Sequence, residues 1–226
     1  MKSSAPRTRL DGMIVEIELT LVSIIQGVAF TFLIENARHV ASIEQAIFWP
    51  YVINGLLVIL VFWSRSVLHI ITLIRWPLEF GHNFLYIACA LVEALLFTQL
   101  SNPFAWFVFG AIYTAIGWSL FVYDLRLLRA RERDSAGAAS NRLYALIRRD
   151  QRRNILVLLP AVFLFNVICA FCIRTWPELF LAGNAHGWLA AAQFVAFGCY
   201  LLCVVRFYVN LAPLILESHQ EWHGGA

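Results

Sequence analysis

The sequence predicts an all-α integral membrane protein of six transmembrane helices, and three observations carry that prediction. Hydrophobic residues make up 61% of the 226 residues and charged residues 14%, against about 45–50% and roughly 25% in soluble proteins. Mean hydropathy is +0.72. The apolar residues gather into runs long enough to cross a bilayer, which takes about 20 residues of helix. Both tails are short, so residues 1–226 are expected to form a single membrane domain with its function in the membrane body or the loops.

The runs follow in order. The first, 13–34, carries Glu16, Glu18 and Gln26 and has no small-residue cleavage site after it, so it reads as a spanning helix and not as a signal peptide. The second, 47–74, is longer than one straight span requires, which predicts either a tilted helix or a bend after Ser66. The third, 80–100, ends at the turn Ser101-Asn102-Pro103, and the fourth covers 104–123. A polar segment, 124–154, holds nine arginines against four acids, and its centre, Ser135-Ala136-Gly137-Ala138-Ala139-Ser140, reads as a flexible linker between two basic helix extensions. The fifth run, 155–173, has Pro160 as an expected kink near its start. The sixth, 188–216, carries Arg206, Asn210 and Pro213 in its last third.

Lys and Arg stay on the cytoplasmic side of a membrane protein. With both termini inside, the outer segments hold only Arg38 and Arg174, so the sequence predicts an N-in, C-in topology. The expected location is a bacterial plasma membrane.

Two similar stretches suggest an internal repeat. Ile74-Arg75-Trp76-Pro77 is followed by Glu79, Phe80, Gly81 and His82, while Ile173-Arg174-Thr175-Trp176-Pro177 is followed by Glu178, Phe180, Gly183 and His186. Each stands after the second run of a three-run half, and two copies of an odd number of spans must be inverted relative to one another. The competing explanation is that Trp favours the interface and Pro favours helix starts.

Ionisable residues inside spans are the sharpest functional pointers, since a charge at the bilayer centre costs about 2.5–3.5 kcal/mol on insertion scales. Glu93 in the third run is the clearest, a candidate cation- or proton-binding carboxylate or else a hydrogen-bonded clasp between helices. Glu16, Thr20 and Ser23 recur at helical spacing with Gln26 beside them, as a path lining or a close packing seam. Arg206 is expected at a similar depth, with Glu16 or Glu18 as its partner. Arg65 and His69 stand one turn apart, and Arg65 is expected to reach the interface.

The histidines do not make a metal site by spacing. His82 and His186 read as interfacial polar residues, and His219 and His223, four apart, as part of a solvated tail. No metal, cofactor or catalytic residue is expected. The Cys169–Cys172 pair has the two-residue spacing of thiol redox motifs, but no outer loop offers the second pair such an enzyme needs. Arg126, Arg129, Arg131, Arg133, Arg148, Arg149, Arg152 and Arg153 suit anionic lipid headgroups or a docking partner. Nucleic acid is excluded for so short a segment without aromatic interleaving.

The leading expectation is a channel or secondary transporter for an ion or small solute. The alternatives are a non-transporting scaffold that docks partners through the arginine-rich loop, and a membrane thiol oxidoreductase. The expected partners are the bilayer itself and further copies or subunits of a membrane complex.

Overall fold

A computed structural model describes residues 5–42, 46–73, 80–134 and 138–224. Helices α1 (Ala5–Ser42), α2 (Trp49–Leu73), α3 (Phe80–Phe97) and α4 (Pro103–Asp134) come first. They are followed by α5 (Ala138–Arg153), α6 (Leu159–Thr175) and α7 (His186–Gly224). No strand occurs among the described residues. Six helical stretches are long and apolar enough to cross a membrane, as the run count predicts. Each shows large apolar side chains on its outside, among them Phe84, Leu156, Leu202 and Trp188. Such a surface is a liability in water and a requirement in lipid.

The two basic helix extensions expected in the arginine-rich segment are present, and the second begins at Ala138, so 138–140 of the expected linker is helical. α4 runs on past its span to Asp134, and α5 leads through a wide π-type turn, Asn154–Leu158, straight into α6. Pro160 sits in the first turn of α6, just beyond that wide turn. A proline cannot donate to the preceding turn, and a π turn is one way a continuous helix accommodates the lost bond. α2 stays helical to Leu73 without the alternative bend. Arg75, Trp76 and Pro77 lie outside the described residues. In the second stretch Arg174, Trp176 and Pro177 are all exposed, and Pro177 opens a further wide turn, Glu178–Ala182. Asn184 ends that turn with φ of 57°, a left-handed conformation Asn tolerates better than most residues.

The bundle has two ends. At the arginine-rich end, Leu68, Leu128, Leu143 and Leu211 join α2, α4, α5 and α7 in one apolar cluster. At the far end, Val40, Tyr51, Leu100, Trp106, Ile173 and Ala190 form another. Between them Val22, Phe62, Tyr86, Cys89 and Leu120 tie α1 to α4 together. Close approach is built in at two glycines. A Cβ on Gly55 of α2 would meet Leu33 Cδ1 at 2.7 Å and the Phe97 ring at 3.2 Å. A Cβ on Gly110 of α4 would meet Asn166 Oδ1 of α6 at 2.6 Å.

α1 packs on α2 and α3, α3 on α4, α4 on α6, and α7 on α2. An inverted three-plus-three repeat would match the α1–α3 contact with one between α4 and α7, and that pair is not among the principal contacts of the described residues. The other pairs do correspond: α1 packs on α2 as α4 packs on α6, and neither α2 with α3 nor α6 with α7 is a principal contact among the described residues. A cavity of about 470 Å³ is bounded by α2, α4, α6 and α7, lined mostly by Val, Leu, Ala and Phe, with Arg65, Tyr200 and Gln193 on its walls.

Candidate functional site

The site begins with the periodicity of α3. His82, Tyr86, Cys89 and Glu93 recur at intervals of four, three and four residues, which places them on one helical face. All four are buried, and Cys89 and Glu93 have no exposed surface at all. The opposite face, Phe84, Ile87, Leu91 and Leu95, is exposed and apolar. α3 therefore turns its greasy side to lipid and a line of titratable groups into the bundle. At about 1.5 Å per residue the line covers roughly 16 Å along the axis, about half of a hydrocarbon core of ~30 Å.

At the arginine-rich end, the line meets α2 and α4. Asp124 of α4 faces two histidines: His82 Nδ1 lies 2.9 Å from Oδ1, and His69 Nδ1 lies 3.3 Å from Oδ2. The two imidazoles stack, with centroids 4.5 Å apart and planes 11° from parallel. These three side chains line a cavity of about 40 Å³, room for about one water-sized guest. Beside it, Arg65 donates to Asp150 Oδ2 at 2.7 Å and to Gln151 Oε1 at 3.3 Å, with its guanidinium over the Phe121 ring. Arg65 thus bonds a carboxylate on α5 within the bundle, where an arginine reaching for the interface was expected. Asp150 also accepts from Asn154 and Arg153, and Asn154 in turn accepts from Tyr200 of α7.

At its other end, the line stops at Glu93. Gln26 of α1 donates to Glu93 Oε2 at 3.3 Å, while Glu93 Oε1 has no hydrogen-bond partner among the described residues. Three other buried polar atoms along this half of the bundle are also without one: Gln26 Oε1, Tyr86 Oη and His69 Nε2. A buried polar group left unbonded costs about 1–3 kcal/mol, so four in one region is a concentration that calls for an explanation. Toward the other end of the line, beside His82 in α3, Asn83 donates to Glu18 of α1 at 2.9 Å, and Glu18 is buried.

A second polar cluster lies toward the far end. Gln193 of α7 accepts from Trp106 Nε1 at 2.8 Å and from Asn54 at 3.2 Å, and donates to Asn166 at 3.2 Å. Asn54 also donates to the Ala190 carbonyl, and the Tyr51 hydroxyl lies 3.0 Å from His186 Nδ1. This cluster contains no acidic side chain.

The structure divides the residues singled out in the sequence. Glu93, Gln26 and Glu18 face the interior together. Glu16, Thr20 and Ser23 are exposed on α1, and the two hydroxyls are satisfied by backbone carbonyls of their own helix, Glu16 and Leu19. Arg206 is exposed on α7, and α1 and α7 are not principal packing partners, so the expected pairing with Glu16 or Glu18 does not form. His82 is buried against Asp124, and His186 is buried against Tyr51. Cys169 is buried at the far end and Cys172 partly exposed, both as free thiols. Of the loop arginines, Arg126, Arg129, Arg133, Arg149, Arg152 and Arg153 are exposed and Arg148 pairs with Glu132 at 2.8 Å, while the Arg131 side chain is outside the described set. His69, His82 and Asp124 are the residues that sequence spacing does not bring together, since they come from three helices. Compared with protein families, with characterised proteins and with solved structures, the chain matches none.

Proposed function

We propose that this protein is a membrane channel or secondary transporter for a small cation, the proton first among them, with the buried face of α3 as its path. The observation that carries the reading is the line His82–Tyr86–Cys89–Glu93, which leads from a carboxylate–imidazole cluster at the arginine-rich end to a carboxylate deep in the bundle. Ionisable side chains inside a membrane protein mark ion pathways and proton relays. The unbonded polar atoms along the line are what a cation, or water carrying a proton, would use. Glu93 is the intermediate binding group, Gln26 orients it, and Asp124 with its histidines receives the ion near one surface. Beyond Glu93, Leu33 and Phe97 close over Gly55, an apolar layer that separates the line from the far end. Such a layer suits a gate.

The exposed arginines of α4 and α5 support the sequence reading that the arginine-rich end faces the cytoplasm and its anionic lipids. They fit the scaffold reading equally, but a scaffold leaves the buried carboxylates without a role.

The test is flux. Purified protein reconstituted in liposomes with an internal pH dye should dissipate an imposed proton or alkali-cation gradient faster than empty liposomes. Glu93→Gln at equal incorporation should return the rate to the empty-liposome level. Equal rates with and without the parent protein, across protons and alkali cations, would sink the proposal.

A further inference from the structure

We propose that His69, His82 and Asp124 form a binding site for a divalent first-row transition-metal ion of the zinc, iron(II) or cobalt(II) class. Three observations converge on it. The donor atoms of the three residues lie within 4.8 Å of one another although they come from three different helices. The two Nδ1–carboxylate separations are 2.9 and 3.3 Å, close to the spacing of about 3.3 Å between ligands of a tetrahedral ion at about 2.0–2.1 Å, and the widest separation in the set, within 4.8 Å, is the one that has to close around an ion. The third observation is independent of that spacing. His69 is 9% exposed and its Nε2 has no hydrogen-bond partner among the described residues, so no bond to that nitrogen fixes which side of the ring serves as ligand, and the ring lines the cavity of about 40 Å³ that it shares with His82 and Asp124.

The chemistry of the donors selects the ion. Two imidazoles and one carboxylate suit borderline divalent metals, whereas calcium and magnesium prefer an all-oxygen shell. Three protein ligands leave a tetrahedral ion a further position, open to water or to a small ligand. The charge balance is favourable: Asp124 is the anionic ligand, and Arg65, which lines the same cavity, is already held by Asp150 at 2.7 Å. The binding claim stands apart from transport, because it can be read on protein that conducts nothing.

Cobalt(II) is the probe, since a four-coordinate site gives it visible d–d absorption. The chain carrying His219→Ala and His223→Ala, which removes the one competing histidine pair at helical spacing, should bind one cobalt ion in detergent and show that absorption. Asp124→Asn and His82→Gln should each weaken binding at least as much as the 10–100-fold that follows loss of an outer-shell partner. Glu93→Gln should bind as the parent does, so failure of the metal site and failure of the transport reading are separable. X-ray absorption of the zinc-loaded chain should show two imidazoles and light oxygen scatterers at about 2.0–2.1 Å. A sulfur shell, a single imidazole, or no saturable binding by the folded parent would overturn the assignment.

Discussion

The two ends of the bundle solve the same problem in opposite ways. Both bury polar side chains between apolar helices. The far end uses neutral groups, and Gln193 engages Trp106, Asn54 and Asn166 at once. Only the Asn54 Oδ1 of that cluster is left unbonded. The arginine-rich half uses carboxylates, imidazoles and a guanidinium, and leaves four polar atoms without partners among the described residues. The closed neutral network reads as a fastener of α2, α4, α6 and α7. The open ionisable one reads as a site, because burial of charge is costly enough that structure alone seldom calls for it.

That contrast can be broken most severely at Asp150. Asp150→Leu removes the carboxylate and leaves Arg65 charged and buried, a loss that costs about 3–5 kcal/mol in comparable pairs. Chemical unfolding in mild detergent should register it, and a change below 1 kcal/mol would show that Gln151 and the Phe121 ring hold Arg65 without the carboxylate. Gly110→Val is expected to come next. Its side chain collides with Asn166, and overpacking of this kind costs about 1–3 kcal/mol, read as a lower unfolding midpoint.

Asn54→Leu tests the far end alone. Interhelical hydrogen bonds in membranes average about 0.6 kcal/mol and reach about 1.7, so a loss in that range is expected in the same assay, with flux per folded molecule unchanged. Arg149→Gln with Arg152→Gln should have the smallest effect on stability, within about 0.5 kcal/mol. Binding of the solubilised protein to anionic vesicles should nevertheless weaken by about 1 kcal/mol per residue, and unaltered binding would take these arginines out of lipid contact.

Much of this fold was legible because membrane helices announce themselves locally: a run of apolar residues is long enough or it is not. The number of spans follows directly. Glu93 was legible for the same reason, as one carboxylate in an otherwise apolar stretch. The inward turn of Gln26 and the outward turn of Thr20 were not, because α1 is apolar nearly all round and its sequence does not say which side meets α3. The histidine–aspartate cluster was hidden for a different reason. His69, His82 and Asp124 are brought together by packing across three helices, and no spacing within one segment encodes that. A weaker signal did exist on α3, where His82, Tyr86, Cys89 and Glu93 recur on one face opposite Phe84, Ile87, Leu91 and Leu95. The basic stretch of α5 was legible as a helix extension, since arginine is a good helix former in propensity, and the wide turn Asn154–Leu158 that joins it to α6 was not, because no residue type marks it.

The central claim is that the ionisable line conducts and the neutral network fastens. The most direct test measures cation flux for Glu93→Gln and Gln193→Leu side by side, in liposomes holding equal amounts of folded protein. The account predicts that Glu93→Gln falls to the rate of empty liposomes while Gln193→Leu keeps the parent rate and loses only stability. Parent-level flux through Glu93→Gln, or loss of flux in Gln193→Leu with Glu93 intact, would contradict it.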